Sequence, residues 1–535
     1  MISVLLTILI LLAVNFGSGF ILIKLLRNKD RSFTFVSLTG IIAVTVLQTV
    51  AAFFVPLNSY LEIFFVSVGL AGTCWFILRE KRLPFEIKFN FWFPVFFLLV
   101  LFAGSFSPYL FDHYSYYAPT ISYLKETGFV KGIANLDLLL GQTSFWHIYQ
   151  AGFSHFTDSY LKINAYILVL FLFYIFEKKS YFLLIFFPAF LLFVQQPSPD
   201  LPVLIITLIV FNELVNKREN SVILYLSLFA FCIKPIVFWL PLFVILNNFN
   251  KGKFVAKSFI PVSIFGILLV MKNLWLCGLP VFPMSILDFN LPWKPSQEMM
   301  TYSSQIGMMK SYDMKYSYQQ VTQFDFFDSI YHWFTIGYKS VLNIGIVMSF
   351  IIISVFVIRK KTRFYYFLLF CLVLKSIVIF SFSAQYRFFI DVYLIALFLI
   401  LNDISESKAV FIAVFLSIFI SVIFTFPGFV QQYNMGKWMS GFSWSQIYKP
   451  KTIKQVDVNK NFKLGNLSFS TSKDIRNKNH FPVLGLYDVK LYEYYGIFPQ
   501  YFGNDFKNGI FQRKITAQEK IRLKEIIAET EKQNP

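Results

Sequence analysis

Apolar runs of about twenty residues or fewer recur from the N-terminus to about position 427, and they constrain the chain more than any other feature. A bilayer offers no water to backbone N–H and C=O groups. A spanning segment must therefore satisfy them internally, as a helix of roughly 20 apolar residues does. The runs fall at 2–23, 33–55, 61–78, 91–110, 161–176, 181–195, 201–215, 221–233, 235–249, 259–277, 338–358, 364–382, 388–402 and 409–427. They predict an all-α polytopic membrane bundle of about fourteen spans over residues 1–427. Composition agrees, since only 14% of residues are charged, against about a quarter in a soluble domain.

Lys and Arg favour the cytoplasmic connections of such a bundle. One alternating set of connections carries Arg27-Asn28-Lys29, Arg79-Glu80-Lys81-Arg82, Lys178-Lys179, Lys217-Arg218, Lys251 with Lys253, and Arg359-Lys360-Lys361 with Arg363. The short connections between them, such as Leu57–Tyr60 and Gln195–Asp200, carry none. The alternation requires 221–249 to be a hairpin that turns at Lys234-Pro235, where proline breaks the helix. The start of the first helix, the loops 111–160 and 278–337, the turn 195–200 and the tail 428–535 then share the extracytoplasmic side. The positive charges Lys24, Arg27, Lys29 and Arg31 follow the first apolar run, whereas a cleaved signal peptide has them in front. That run is expected to be a retained helix.

The tail reads as a small α+β extracytoplasmic domain, strand-like at Phe481–Tyr487 and helical from Thr516 to Lys532. The net charge of +19 is accounted for by cytoplasmic loops and this Lys-rich tail, so nucleic acid is not an expected partner. Cys74, Cys232, Cys277 and Cys371 lie in or beside apolar runs with no CxxC spacing, as small buried hydrophobes do.

Ionisable groups at membrane spans are costly and mark functional sites. Asp112, Asp200, Lys234, Lys272, Lys375, Arg387 and Asp391 stand out on this ground, most of them near outer span ends. Asp112 and His113 open the loop 111–160. A carboxylate there can take a proton from a hydroxyl or hold a divalent cation; the plainer role is a helix cap. Asp200, in Gln195-Gln196-Pro197-Ser198-Pro199-Asp200, offers a second acid or a second cap. Lys234, Lys272, Lys375 and Arg387 form a candidate phosphate-binding set, Arg by its planar fork and Lys as a point charge. Two plainer roles compete with this one. Asp391, one turn beyond Arg387, offers an i,i+4 ion pair, and Lys272 can snorkel to the interface. His113, His147, His155, His332 and His480 show no metal-site spacing. No phosphate-binding glycine loop or dinucleotide fingerprint occurs.

The order of short motifs resembles the GT-C superfamily of membrane glycosyltransferases, and more closely a group of bacterial polytopic membrane proteins related to it. The residues are Asp112-His113-Tyr114 with Pro119, Thr127-Gly128 through Lys131-Gly132 to Asn135, and Ser144 with Trp146. Then come Ser198-Pro199-Asp200, Ile233-Lys234, Lys272-Asn273, Gly278 to Pro283, and Gln385-Tyr386-Arg387-Phe388. The resemblance covers roughly residues 90–400. In GT-C proteins the first long loop follows the first span; here it follows about four, which makes three spans an N-terminal addition.

The resemblance implies transfer of a sugar from a polyprenyl-phosphate lipid donor to a glycan, lipid or protein acceptor. Asp112 would be the base or metal-holding group, at the outer face of a bacterial inner membrane. Two other readings are a transporter or flippase for an anionic lipid or solute, and a non-catalytic subunit of an envelope assembly.

Overall fold

The computed structural model describes residues 1–25, 32–85, 90–218, 220, 222–253, 256–433, 436–452, 460–474, 482–503 and 505–532. Arg27, Asn28, Lys29, Arg31, His480 and Phe481, each named above, lie outside the described residues.

The chain is mostly helical. Among the described residues, seven helices are long and apolar enough to cross a membrane: Ile2–Leu25, Phe33–Ala52, Ser59–Glu80, Phe259–Cys277, Ser340–Lys360, Arg363–Phe380 and Glu406–Thr425. The other seven apolar segments are helical but shorter. Those at Trp92–Gly104, Tyr181–Leu191, Val222–Ile233 and Pro235–Asn250 are joined by Ile163–Lys178, Asp200–Val215 and Ile390–Leu401. Among the described residues, seven of the fourteen expected spans therefore reach membrane length, and the other seven are too short to cross as straight helices.

Packing explains the difference. Ile163 through Phe176 and Leu201 through Leu214 are buried without a break, so these helices are enclosed by other helices rather than by lipid. The first two helices approach backbone to backbone. A Cβ on Gly19 would lie 1.8 Å from the Val36 carbonyl oxygen, and one on Gly40 1.9 Å from that of Asn15. Small residues permit such contact between apolar helices, where dispersion is the main attraction.

The connections sort to two ends of the bundle. At one end Lys24 meets Glu80 at 3.9 Å, the Phe33 amide donates to Glu177 at 3.0 Å, Arg218 reaches the Lys178 carbonyl at 3.3 Å, and Arg363 bonds Asn250 at 2.9 Å. These are the Lys/Arg-bearing connections. The opposite end gathers the loops 111–160 and 278–337, the turn at 195–200, the Lys234 break and the tail. The Ser3 amide donates to the Tyr448 carbonyl at 3.3 Å, which places the N-terminus there too.

Glu62 anchors that end. Its buried carboxylate accepts the amides of His155 at 2.8 Å and Thr157 at 2.7 Å, fixing the loop 111–160 to the Ser59–Glu80 helix. A buried carboxylate is tolerated when several backbone donors satisfy it.

The tail forms a small α+β unit. Strands β1 (Lys460–Leu464) and β2 (Leu467–Ser472) pair antiparallel, and β3 (Val483–Gly485) runs parallel to β2. A second pair, β4 (Ile497–Tyr501) and β5 (Ile510–Lys514), is antiparallel. Helices Leu486–Tyr495 and Ala517–Glu531 complete it. The expected strand near 481–487 is therefore confined to three described residues, and Leu486 already begins a helix. The β-branched and aliphatic run is too short to continue before Asp488 accepts the Gly485 amide at 3.1 Å and starts a helical turn.

This unit docks on the loop 111–160. The Tyr492 hydroxyl bonds the carbonyls of Asn135 at 2.9 Å and Leu136 at 2.8 Å, and the Ile510 amide donates to Lys131 at 2.8 Å. Gly132, at φ +69°, allows the approach, since a Cβ there would stand 2.1 Å from the Ile510 oxygen. The Lys131 ammonium lies 4.9 Å from the rings of both Trp275 and Trp293. The motif Gly128 to Asn135 is thus, in this chain, a docking surface for the tail.

Candidate functional site

Asp112 stands between the Trp92–Gly104 helix and a π-helical turn at His113–Tyr117, which leads into the Ala118–Thr127 helix. Its side chain makes no cap bond, so the cap role does not describe it. The carboxylate faces Arg387 instead, with Oδ2 3.4 Å from Nη1. The pair is open: the side chains are 32% and 43% exposed, respectively. Arg387 occupies a 3-10 turn, Tyr386–Phe389, that precedes the Ile390–Leu401 helix.

Asp200 begins the Asp200–Val215 helix, but Ser198 supplies the hydrogen bond to its amide at 3.3 Å. The Asp200 carboxylate accepts from the Ser198 hydroxyl at 3.1 Å and is ion-paired with Lys234. Lys234 is extended (φ −147°, ψ 101°) between helices Val222–Ile233 and Trp239–Asn250, as a residue before proline is expected to be. Phe388 joins the two pairs: the Lys234 ammonium is 5.8 Å, and the Arg387 guanidinium 5.3 Å, from its ring. Asp112, Asp200, Lys234 and Arg387 therefore form one cluster at one end of the bundle.

Lys375 and Lys272 do not belong to it. Lys375 is fully buried and ion-paired with Asp391, whose other oxygen accepts from Trp239 Nε1 at 2.6 Å. Asp391 is thus no i,i+4 partner for Arg387; the intervening 3-10 turn does not present helical spacing. Lys272 does not snorkel. It is buried, and its ammonium donates to the Thr143 carbonyl at 2.6 Å.

His113 is buried, its ring 4.8 Å from that of Tyr114. Burial, and then the neighbouring Lys162 ammonium, lowers its pKa to about 3. His147 is likewise lowered to about 3, chiefly by burial. Both are neutral at physiological pH. His155 bonds the Leu57 carbonyl at 2.9 Å and His332 bonds Tyr316 at 2.9 Å, so each holds a loop.

A divalent cation at Asp112 or Asp200 does not fit this donor set. Each carboxylate faces a cation, and among the described residues no three His, Cys, Asp or Glu side chains are grouped as metal ligands.

Two site residues carry no sequence signal of their own. Tyr116 lies within reach of both pairs: burial, and then the Asp112 carboxylate, push its phenol pKa up, and Asp200 and Arg387 also bear on it. Lys310 ends the Gln297–Lys310 helix of the loop 278–337 beside Arg387 and Asp112. Glu62 did carry a signal, an acid in the first turn of an apolar helix.

These features define a helical protein of membrane-length apolar segments with a mixed acid–cation cluster at one end. More particularly, the chain belongs to the DUF8201 family, described as a domain of unknown function, whose model matches residues 1–394. The match takes in every residue of the cluster and leaves the Glu406–Thr425 helix and the tail outside. No curated protein and no solved structure matches the chain.

Proposed function

We propose that the protein is a membrane glycosyltransferase that moves a sugar from a polyprenyl-phosphate-linked donor to an extracytoplasmic acceptor in cell-envelope glycan assembly. On this reading the apolar segments cross a bacterial inner membrane about fourteen times, and the cluster and the tail face outward. The observation that carries the proposal is the open Asp112–Arg387 pair beside Lys234 and Asp200. A carboxylate and a guanidinium fork in contact at the end of an apolar bundle support a base and an anion-binding group where a lipid-borne phosphate would arrive.

The donor phosphate competes with Asp112 for Arg387, and its binding frees the carboxylate. Asp112 then takes the proton of the acceptor hydroxyl as that oxygen bonds the anomeric carbon. The bond from that carbon to the phosphate oxygen breaks, and its electron pair leaves with the lipid phosphate. Arg387 and Lys234 face the charge that grows on the leaving oxygen, where fixed cations accelerate most. Incubating the purified protein with labelled polyprenyl-phosphate sugars and candidate acceptors tests this. Labelled product from wild-type protein is expected; its absence across donors and acceptors counts against it.

The buried Lys375–Asp391 pair favours a second reading, transport of an anionic lipid, because transporters keep ionisable pairs inside the bundle. Movement of labelled lipid across reconstituted vesicles without sugar transfer would select it.

A further inference from the structure

The loop 278–337 is clamped onto the turn that leads to Arg387. Ser383 Oγ donates to the Gly307 carbonyl at 2.6 Å, the Ala384 amide donates to Ser311 Oγ at 2.8 Å, and Trp333 Nε1 donates to the Ala384 carbonyl at 2.9 Å. Two of these bonds flank Lys310 in sequence, so the clamp fixes the end of the helix that carries it next to the turn that carries Arg387. Lys310 is exposed yet set in dense surroundings; these, and then the neighbouring Arg387, lower its pKa, while Asp112 raises it. Among the described residues no carboxylate lies within ion-pair distance of Lys310.

A lysine at a helix C-terminus is favoured by the helix dipole. The dipole does not account for the two tertiary hydrogen bonds that hold this helix end beside the turn of a second cation. Like charges held together repel, and an anion between them reverses the sign of that term. The cluster then counts Arg387, Lys234 and Lys310 against Asp112 and Asp200, which leaves one positive charge in excess. A phosphodiester carries one negative charge.

We infer that Lys310 is a third cation of the site, and that it and Arg387 grip a singly charged phosphodiester from opposite loops. The choice of a lipid-linked glycosyl phosphodiester as the bound group rests on the proposed transferase reading. The grip itself rests on the clamp and the charge count. Loop 278–337 is thereby part of the binding site rather than a spacer between helices.

The full-length protein in detergent tests this with two probes, a short-chain isoprenyl phosphodiester glycoside and its water-soluble methyl analogue. Isoprenyl diphosphate and inorganic phosphate serve as comparisons. Lys310→Gln is expected to weaken both phosphodiesters about tenfold at unchanged thermal stability, and Lys310→Arg to recover most of the loss. Isoprenyl diphosphate is expected to bind no more tightly than the phosphodiester. Unchanged phosphodiester binding in Lys310→Gln, with binding lost in Arg387→Ala, would overturn the inference and leave the anion site standing. Diphosphate bound about tenfold more tightly than the phosphodiester would overturn the charge count. No binding of any probe by wild-type protein would remove the anion site, and the inference with it.

Discussion

Arg387–Asp112 and Lys375–Asp391 are built from the same chemistry and do different things. The first stands open at the mouth, about a third to two-fifths of each side chain exposed, at 3.4 Å and, among the described residues, with no further clamp on the carboxylate. The second is 0% and 3% exposed, and Trp239 holds its remaining oxygen. The inner pair joins three helices, Arg363–Phe380, Ile390–Leu401 and Trp239–Asn250. It thereby fixes both the turn that carries Arg387 and the break that carries Lys234. Burial sets the two apart: the inner pair is fully satisfied and joins helices, whereas a loosely held one at the mouth can exchange its partner for a ligand.

Breaking the inner pair is expected to have the largest effect on stability. Lys375→Met leaves a buried carboxylate uncompensated, a loss of about 3–5 kcal/mol. Adding Asp391→Leu removes the orphan charge and is expected to restore most of that stability, as read from unfolding in detergent. A double variant as unstable as the single one would show that the charges are needed for more than joining helices.

At the mouth the sign of the comparison reverses. Arg387→Lys is expected to keep thermal stability and to weaken donor binding about tenfold, or about 1.4 kcal/mol, because a point charge replaces the fork. Loss of stability with unchanged binding would place Arg387 with Lys375 as a structural cation.

The smallest effect is a labelling pattern that sharpens which end is which. Ser304 and Ser445 are exposed at the cluster end, and Thr362 is exposed at the other. In a cysteine-free background, Ser304→Cys and Ser445→Cys are expected to react with an impermeant thiol reagent on intact cells, and Thr362→Cys is not. Ser115 and Ser198, although they flank the site, are buried and unsuited to this test. The reverse pattern would invert the bundle.

The helices were legible in the sequence because apolar runs of this kind allow little else. Their lengths as crossings were not. Whether Ile163–Lys178 faces lipid or protein depends on what packs around it, and that is tertiary. Asp112, Asp200, Lys234 and Arg387 could be picked out singly, as ionisable groups at apolar boundaries. Their pairing could not: Asp112 and Arg387 are 275 residues apart, Asp200 and Lys234 are 34 apart. The same blindness placed Lys375 with the ligand-facing cations, although its acid lies only 16 residues on. Lys310 carries no signal in the sequence, where it lies within the polar loop 278–337; the contacts of Ser383 and Ala384 with its helix end are tertiary.

Sugar transfer by Asp112→Asn, measured beside wild type with a labelled polyprenyl-phosphate donor, tests the central claim most directly. Asparagine keeps the size of the side chain and its hydrogen-bonding oxygen but removes the negative charge. Loss of a general base lowers a rate by about a hundredfold to ten-thousandfold. The account predicts a variant that folds like wild type, still binds the donor, and transfers sugar at least about a hundredfold more slowly. Transfer at close to the wild-type rate would contradict it and shift the base to Asp200.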